Sequence, residues 1–304
     1  MIWERRGFIC GPREDISWLR NGVSSATVDV LNESKGLIKI FVSGRDAQNR
    51  TNIGCVEFDV FNHCILDIQK EPILNLGPLG SFDENGQSYP FLVKNEKEDL
   101  LFYTGWSPSV LTPFQNFIGL GIRPSFSNDK FIRYSNVPVL DRSNEDYSST
   151  GSCCVLREQG IYKMWYTAFE RWEEHNGAQK HYYRIKYATS LDGRNWERSN
   201  EVCINFKNSD EFAICRPAVF KWKEKYHMLY SYRGVRYQLG YAISEDGINW
   251  KRKDERVKLE GNSEKWENEE ICYPAIFTIH NEIYMLYSGN NYGRAGFGLA
   301  KLKV

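Results

Sequence analysis

The sequence has 304 residues, of which 41% are hydrophobic and 14% aromatic, and its formal net charge at pH 7 is zero. This length supports one large domain or two smaller ones, each with a substantial core. A neutral chain without a basic block or an acidic tail argues against nucleic acid and anionic membrane surfaces as partners. No apolar run approaches the roughly 20 residues of a membrane span, and residues 1–15 lack the apolar core of a signal peptide. We therefore expect a cytoplasmic protein.

Cysteine and histidine are scattered rather than grouped. The eight cysteines fit no zinc-binding spacing, and in a cytoplasmic protein they are expected to stay reduced. Free cysteines are commonly small core residues. The five histidines form no close constellation either, so the sequence predicts neither a metal nor another cofactor.

Five consecutive segments share one pattern of short β-strands. Their second strands read IKIFVSGRD, LLFYTGW, YKMWYTAF, YHMLYSYRG and IYMLYSGNN. Two positions after the shared Ser or Thr, 57 to 64 residues apart, stand Arg45, Trp106, Phe169, Arg233 and Asn290. The first strands align independently as SSATVDVL, GQSYPFLV, GSCCVLRE, ICRPAVFK and ICYPAIFT. A fixed period of this kind is typical of repeat architectures, and the units lie at about 17–75, 80–140, 145–205, 209–260 and 266–304.

The fourth strands begin after a shared turn. Residues 190–196 and 244–250 both carry the pattern SxDGxxW; Asp-Gly supplies a tight turn, and the Trp is expected to pack between neighbouring sheets. Unit five ends without a fourth strand, but residues 2–6, IWERR, resemble the fourth-strand segments NWERS and NWKRK. We therefore predict that an N-terminal strand within residues 1–10 completes the last sheet.

Together these patterns predict an all-β, single-domain, five-bladed β-propeller over residues 1–304, built from four-stranded antiparallel blades and closed by the N-terminal strand. The alternative is a two-sheet sandwich. The alternation of apolar residues excludes a helical solenoid.

Acidic residues recur before the first strands, which line the channel of a propeller. Four units carry Asp83, Asp146, Asp210 with Glu211, and Glu267 with Glu269 and Glu270. In unit one, Leu19 and Arg20 stand there instead. Carboxylates around one funnel could supply the proton donor and the base or nucleophile that a glycosidic bond requires. The alternative is that they are ordinary turn and cap residues.

Basic and aromatic residues are predicted at the same mouth. Arg45 and Arg233 end second strands and Arg216 lies on a first strand, which favours an anionic group such as phosphate or a carboxylated sugar. The alternative is that they neutralise the carboxylates. Trp106, Phe169 and Tyr273 could stack on a sugar face. The polar segment 170–182 is either a lid or specificity loop or simply disordered.

The chain resembles the five-bladed propeller glycosidases of glycoside hydrolase families 32, 43 and 130. It is most similar to glycosidase-related propeller proteins of bacterial surface-polysaccharide gene clusters. The resemblance is carried by VSGRDAQNRTNIG, GSFDENG, FYTGW, YRIKYATSLDGRNW, EFAICRPAV, YAISEDGINW and EEICYPAIF. In the hydrolase families the first blade supplies the nucleophile or base, whereas unit one has no acidic residue before SSATVDVL. The phosphorylase family uses phosphate as the attacking group and an Asp as the acid, for which Asp83 is the nearest analogue.

The resulting hypothesis is an enzyme that cleaves or transfers a glycosyl group on a sugar, a sugar phosphate or a surface-polysaccharide precursor. The predicted catalytic residues are Asp83, Glu211 and Glu269. The predicted substrate-binding residues are Arg45, Trp106, Asp146, Phe169, Arg216, Arg233, Tyr273 and Asn290. Phosphorolysis, sugar binding without catalysis and a protein-interaction scaffold are the alternatives.

Overall fold

The computed structural model describes residues 1–128, 130–175 and 177–303, with only the backbone considered at Ser25 and Ala26. This part of the chain contains β-strands and short 3₁₀ helices but no α-helix. The 3₁₀ helices are Ser17–Leu19, Glu33–Lys35 and Asp254–Arg256. No helix within these ranges is long and apolar enough to cross a membrane.

The strands fall into five antiparallel meanders in which chain neighbours pair. Meander 1 comprises β2 (Val23–Asn32), β3 (Leu37–Arg45), β4 (Thr51–Asp59) and β5 (Cys64–Ile68). Meander 2 comprises β6 (Gln87–Val93), β7 (Glu98–Pro108), β8 (Phe114–Pro124) and β9 (Ile132–Arg133). Meander 3 comprises β10 (Ser149–Glu158), β11 (Ile161–His175), β12 (Ala178–Ser190) and β13 (Glu197–Ile204). Meander 4 comprises β14 (Ala213–Trp222), β15 (Lys225–Arg233), β16 (Tyr237–Ser244) and β17 (Lys251–Arg252).

Meander 5 uses both ends of the chain, as the sequence predicted. It comprises β19 (Cys272–Ile279), β20 (Glu282–Ser288), β21 (Phe297–Lys303) and β1 (Ile2–Cys10). Strand β1 runs antiparallel to β21, with Trp3 opposite Leu302, and parallel to the short strand β18 (Lys258–Glu260). Trp3 is fully buried.

The five meanders form four hydrogen-bonded sheets. A single parallel bridge, Tyr183 to Ala213, joins meanders 3 and 4 into one eight-stranded sheet. The first strands contact one another in sequence, from β2 to β6, β10, β14 and β19, and β19 in turn contacts β2. The five first strands are therefore neighbours in a cyclic order.

The core lies between meanders. Side chains of meander 1 such as Ile38 and Ile40 are buried with Leu286 and Leu299 of meander 5, and similar apolar clusters join meanders 1 and 2, 2 and 3, 3 and 4, and 4 and 5. Seven of the eight cysteines are buried and all eight are free, which confirms their interpretation as core residues, Cys64 excepted.

The turn predicted from SxDGxxW is present. Asp192 Oδ1 accepts hydrogen bonds from the N–H groups of Arg194 and Asn195, each at 2.8 Å, and Gly193 has a left-handed φ of 72°. The ring of Trp196 lies 5.8 Å from that of Phe102 in the neighbouring meander. The prediction that this Trp packs between sheets is confirmed.

Candidate functional site

Four of the recurrent acidic residues are buried, and each pairs with a cation: Asp83, Asp146, Glu211 and Glu267. Asp83 is fully buried, and its Oδ2 accepts hydrogen bonds from Arg133 Nη2 at 2.8 Å and Tyr103 Oη at 3.0 Å. Burial and this carboxylate raise the pKa of Tyr103. Arg133 lies on the fourth strand and Tyr103 on the second. Asp83 therefore links the segment before the first strand of meander 2 to its second and fourth strands.

The same arrangement recurs in the later meanders. Asp146 is fully buried and forms an ion pair with Lys186. Its Oδ2 accepts a hydrogen bond from Tyr166 Oη at 2.6 Å. Glu211 accepts two hydrogen bonds from Arg252, at 2.7 and 3.1 Å.

In meander 5 the equivalent ion pair joins residues from the two ends of the chain. Glu267 binds Arg5 Nε at 3.0 Å, and Tyr287 lies beside it, its pKa raised by burial and then by that carboxylate. A buried carboxylate needs such a partner, since an unpaired charge is costly away from water.

Among the described residues of meander 1, the tyrosine and the carboxylate of this arrangement are replaced. The position of Tyr103 is taken by Val42, and Leu19 replaces the carboxylate; both side chains are buried. The missing acidic residue in unit one therefore reflects an apolar substitute for a structural ion pair.

The two remaining polar predictions also lie outside the central cavity. Glu269 pairs with Arg236, and the side chains are 55% and 54% exposed. Asn290 Oδ1 accepts hydrogen bonds from the N–H groups of Glu269 and Glu270, each at 3.0 Å, so it anchors the segment before β19. Asp83, Asp146, Glu211, Glu269 and Asn290 are thus each engaged in local structure, and none of them borders the cavity that the arginines line. Their predicted roles at the site stay predictions.

A two-lobed cavity lies where the first strands meet. The first lobe has a volume of about 350 Å³ and the second about 330 Å³. The first lobe is lined by Arg45, Arg294, Trp106, Thr51 and serines of meanders 1 and 2. The second is lined by Arg216, Arg233, Phe169, His181, Cys215, Tyr183, Tyr237 and Tyr273. Tyr89, Thr104, Phe114, Asn116 and Tyr292 border both lobes. The cavity thus contains six of the predicted residues: Arg45, Trp106, Phe169, Arg216, Arg233 and Tyr273.

Three lining residues are aimed inward by β-bulges. Tyr89, Arg216 and Tyr273 have left-handed φ angles of 52°, 53° and 55°, and each precedes a proline at a register shift of its first strand. A non-glycine residue in this region costs of order 1–3 kcal/mol and persists only where the surroundings impose it. Bulges commonly re-aim a side chain beside a functional site.

Hydroxyl groups of neighbouring meanders hold these bulges. The N–H of Tyr89 donates to Ser43 Oγ at 2.7 Å, and that of Tyr273 donates to Ser231 Oγ at 2.7 Å. Ser43 and Ser231 occupy the shared Ser or Thr position of the second strands. This repeated position therefore supports the bulge of the next meander.

The guanidinium groups lie in a partly desolvated, aromatic setting. Burial lowers the pKa of Arg45, and the nearby Arg294 lowers it further. Burial also lowers the pKa of Arg216, against an opposing effect of Tyr89. For Arg233, burial acts in the same direction but the surrounding tyrosines, Tyr237 first, raise the pKa overall.

An aromatic wall forms one side of the second lobe. It consists of Phe114, Phe169 and His181, with ring centroids 5.6 to 6.4 Å apart. The ring centroid of Trp172 lies 4.5 Å from that of His181. Burial, followed by the charge of Arg233, lowers the pKa of His181 to about 4, so this ring is neutral at pH 7. Apolar ring faces of this kind suit the C–H face of a sugar.

The segment 170–182 is an ordered hairpin and not a disordered loop. Strands β11 and β12 pair from Arg171 opposite Tyr182 to His175 opposite Ala178; Asn176 lies outside the described residues. The hairpin carries Trp172 and His181, so the predicted specificity segment does supply the cavity wall. Its role as a lid stays a prediction.

The lining can bind and orient but offers no carboxylate. Among the described residues that border the two lobes there is no Asp or Glu. Burial keeps the pKa values of Tyr183, Tyr237 and Tyr273 well above the ordinary range, so their hydroxyls remain protonated donors at neutral pH. The described part of the chain also holds no group of three His, Cys, Asp or Glu that could bind a metal ion.

Several lining residues were missed in the sequence. Tyr89 could have been found, because Tyr89-Pro90, Arg216-Pro217 and Tyr273-Pro274 occupy the same place in their first strands. Arg294 and Tyr292 stand in the final turn, where the repeat offers no counterpart. His181 was missed because it lines the cavity from the long β11–β12 hairpin, whose polar sequence gave no sign of a cavity wall.

Comparison with known proteins finds relatives that match the full length of the chain. It is 38% identical over 307 residues to the uncharacterized protein Rv1502 of Mycobacterium tuberculosis strain H37Rv, and to MT1551 of strain CDC 1551, covering 100% of each chain. It is 43% identical to the β-1,2-mannobiose phosphorylase of Thermoanaerobacter over 70 residues, which cover 23% of this chain and 20% of that one. No family model matches the chain.

The fold is shared with solved carbohydrate-active proteins. A structure described as a glycoside hydrolase has a TM-score of 0.75 at 15% identity, covering 99% of this chain and 91% of its own. A putative glycosidase from Bacteroides thetaiotaomicron has a TM-score of 0.71 at 12% identity, covering 98% and 96%. A structure reported for the GH130 family of mannoside phosphorylases has a TM-score of 0.71 at 13% identity, covering 99% and 93%. The chain therefore belongs to the family of Mycobacterium tuberculosis Rv1502 and has the all-β fold of the GH32, GH43 and GH130 glycosidases.

Proposed function

We propose that the chain is a single-domain, five-bladed propeller that binds an anionic sugar in its central cavity and acts on it as a carbohydrate-active enzyme. Five meanders whose first strands contact in cyclic order, with apolar clusters between neighbours, support the blade count. The free cysteines suit a cytoplasmic location. A surface-polysaccharide precursor fits this class of ligand.

The composition of the cavity lining carries the proposal. The two lobes are lined by four arginines and, among the described residues, by no Asp or Glu: Arg45, Arg216, Arg233 and Arg294. Guanidinium groups bind phosphate and carboxylate in a bidentate, directional manner. The aromatic wall and the shared Asn116 supply the stacking face and the polar contacts that a sugar ring needs.

The proposal is tested by calorimetric titration with glucose, glucose 1-phosphate and glucuronate. We expect the two anionic sugars to bind at least tenfold more tightly than glucose. The double variant Arg233→Gln/Arg294→Gln, which removes one arginine from each lobe, should remove most of that difference. Arg236→Gln, which alters an exposed arginine outside the cavity, should not. Equal affinity for glucose and its phosphate would contradict the proposal.

Phosphorolysis is the second candidate. It is favoured by the cluster of arginines, which could hold an attacking phosphate, and by the local similarity to β-1,2-mannobiose phosphorylase. In that reaction an oxygen of hydrogen phosphate bonds to the anomeric carbon and the glycosidic C–O bond breaks. The departing oxygen takes the proton that hydrogen phosphate gives up. Incubation with β-1,2-mannobiose should then release mannose 1-phosphate only when phosphate is supplied. Release of free mannose without phosphate would instead indicate hydrolysis.

A further inference from the structure

The central cavity presents its cations in two pairs. Arg45 and Arg294 line the first lobe, and Arg216 and Arg233 line the second. Arg45 and Arg294 are close enough for the charge of Arg294 to lower the pKa of Arg45. An anion between two such groups removes that repulsion.

A pair of tyrosine rings lies close to arginines of both lobes. Tyr89 and Tyr273 meet edge to face, with ring centroids 5.4 Å apart. Both rings influence the pKa of Arg45 on one side and of Arg216 on the other, and the guanidinium of Arg216 lies 5.0 Å from the Tyr89 ring. Aromatic surface therefore lies beside the cations of both lobes.

The carboxylates near the cavity are already engaged. Asp46, which follows Arg45, binds Arg50 and two backbone N–H groups. Glu270, near Tyr292, accepts hydrogen bonds from backbone N–H groups of Tyr237 and Tyr292. Arg45 itself donates to the carbonyl of Asn49 at 2.7 Å. Within the described ranges, neither Arg45, Arg233 nor Arg294 forms an ion pair with a carboxylate, so positive charge remains in both lobes.

We infer that the ligand carries two anionic groups, one held in each lobe, with its sugar ring across the Tyr89–Tyr273 pair. The matching chemical class is a sugar bisphosphate or a carboxylated sugar phosphate. The inference rests on the proposed function, since it assumes that the cavity binds an anionic sugar. It goes further in giving the number of acidic groups and in assigning one to each lobe.

Calorimetric titration with three probes tests it: inorganic phosphate, glucose 1-phosphate and glucose 1,6-bisphosphate. We expect about two phosphate ions per chain and at least tenfold tighter binding of the bisphosphate than of the monophosphate. Arg294→Gln should reduce the phosphate count to one and remove the advantage of the bisphosphate, while the chain still binds the monophosphate. Arg233→Gln should do the same from the second lobe. Arg236→Gln is the matched control and should change neither value.

The outcomes separate the two proposals. One phosphate per chain with equal affinity for the two sugar phosphates overturns the two-site inference and leaves the proposed function standing. Loss of all phosphate binding in either single variant also overturns it, because it would indicate one shared site. A wild-type protein that binds none of the three probes contradicts both proposals.

Discussion

A buried carboxylate stands before a first strand in four of the five meanders, always against a cation supplied by the same meander. In meander 2 this is Asp83 with Arg133, and in meander 5 it is Glu267 with Arg5. Removing one member of such a pair leaves an uncompensated charge, which is more damaging than replacing both. At the residue scale, therefore, these acids are expected to govern stability.

The substitution Asp83→Asn should lower the free energy of unfolding by about 3–5 kcal/mol, measured by urea denaturation, and leave the affinity for glucose 1-phosphate unchanged. Glu269→Gln is the control, since its ion pair with Arg236 is more than half exposed and such pairs contribute about 0.2–1 kcal/mol. Intact stability with lost turnover in Asp83→Asn would instead restore this residue as a catalytic acid.

His181 is expected to make stability depend on pH. Its pKa in the folded chain is about 4, below the ordinary 6.5, so between these values the unfolded chain binds a proton that the folded chain does not. The free energy of unfolding should therefore fall as the pH falls from about 6.5 to 4, by up to about 3 kcal/mol.

The measurement compares urea denaturation of the wild type and His181→Phe at several pH values. The variant keeps an aromatic ring in the wall but cannot titrate, so its curve should be flatter by the amount that His181 contributes. Other groups titrate alike in both proteins and cancel in the difference. Parallel curves between pH 4 and 6.5 would show that His181 is not buried as described.

At the scale of the strand, the inward-facing bulges depend on hydroxyl groups from the neighbouring meander. Ser231 is fully buried, and its Oγ is 2.7 Å from the N–H of Tyr273. The left-handed backbone at Tyr273 is costly in itself, so the surrounding contacts must hold it. The shared Ser or Thr position thus links the inner strands of adjacent meanders.

Ser231→Ala should lower the free energy of unfolding by about 1–3 kcal/mol, because a buried N–H would lose its acceptor. Chemical denaturation measures this effect, and Ser209→Ala, at an exposed position, serves as the control. If both variants are equally stable, the hydroxyl does not support the bulge.

At the scale of the whole molecule, the N-terminal strand joins the two ends of the chain. Strand β1 covers the edge of β21 along seven paired positions, and its own Trp3 side chain is fully buried. An uncovered edge strand exposes unpaired N–H and C=O groups and promotes aggregation.

Deletion of residues 1–10 should abolish a single cooperative unfolding transition and cause self-association, detected by denaturation and size-exclusion chromatography. The milder change Trp3→Ala should cost about 3–5 kcal/mol through the cavity it leaves. Arg6→Ala, at an exposed position of the same strand, should change little. A monomeric, cooperatively folded deletion variant would show that β1 is dispensable.

Local pattern was enough to predict the meanders and the N-terminal completion, because strand alternation, Asp-Gly turns and the repeated Ser or Thr are all read within one unit. The arginines at strand ends and Tyr273 before a proline were found for the same reason. The carboxylates could not be assigned in this way, because their partners have no fixed spacing: Arg133 is 50 residues from Asp83 and Arg5 is 262 residues from Glu267. Only the tertiary structure decided that these acids turn into the sheets while the arginines face the cavity, since a buried charge takes whichever partner the packing brings within hydrogen-bond reach.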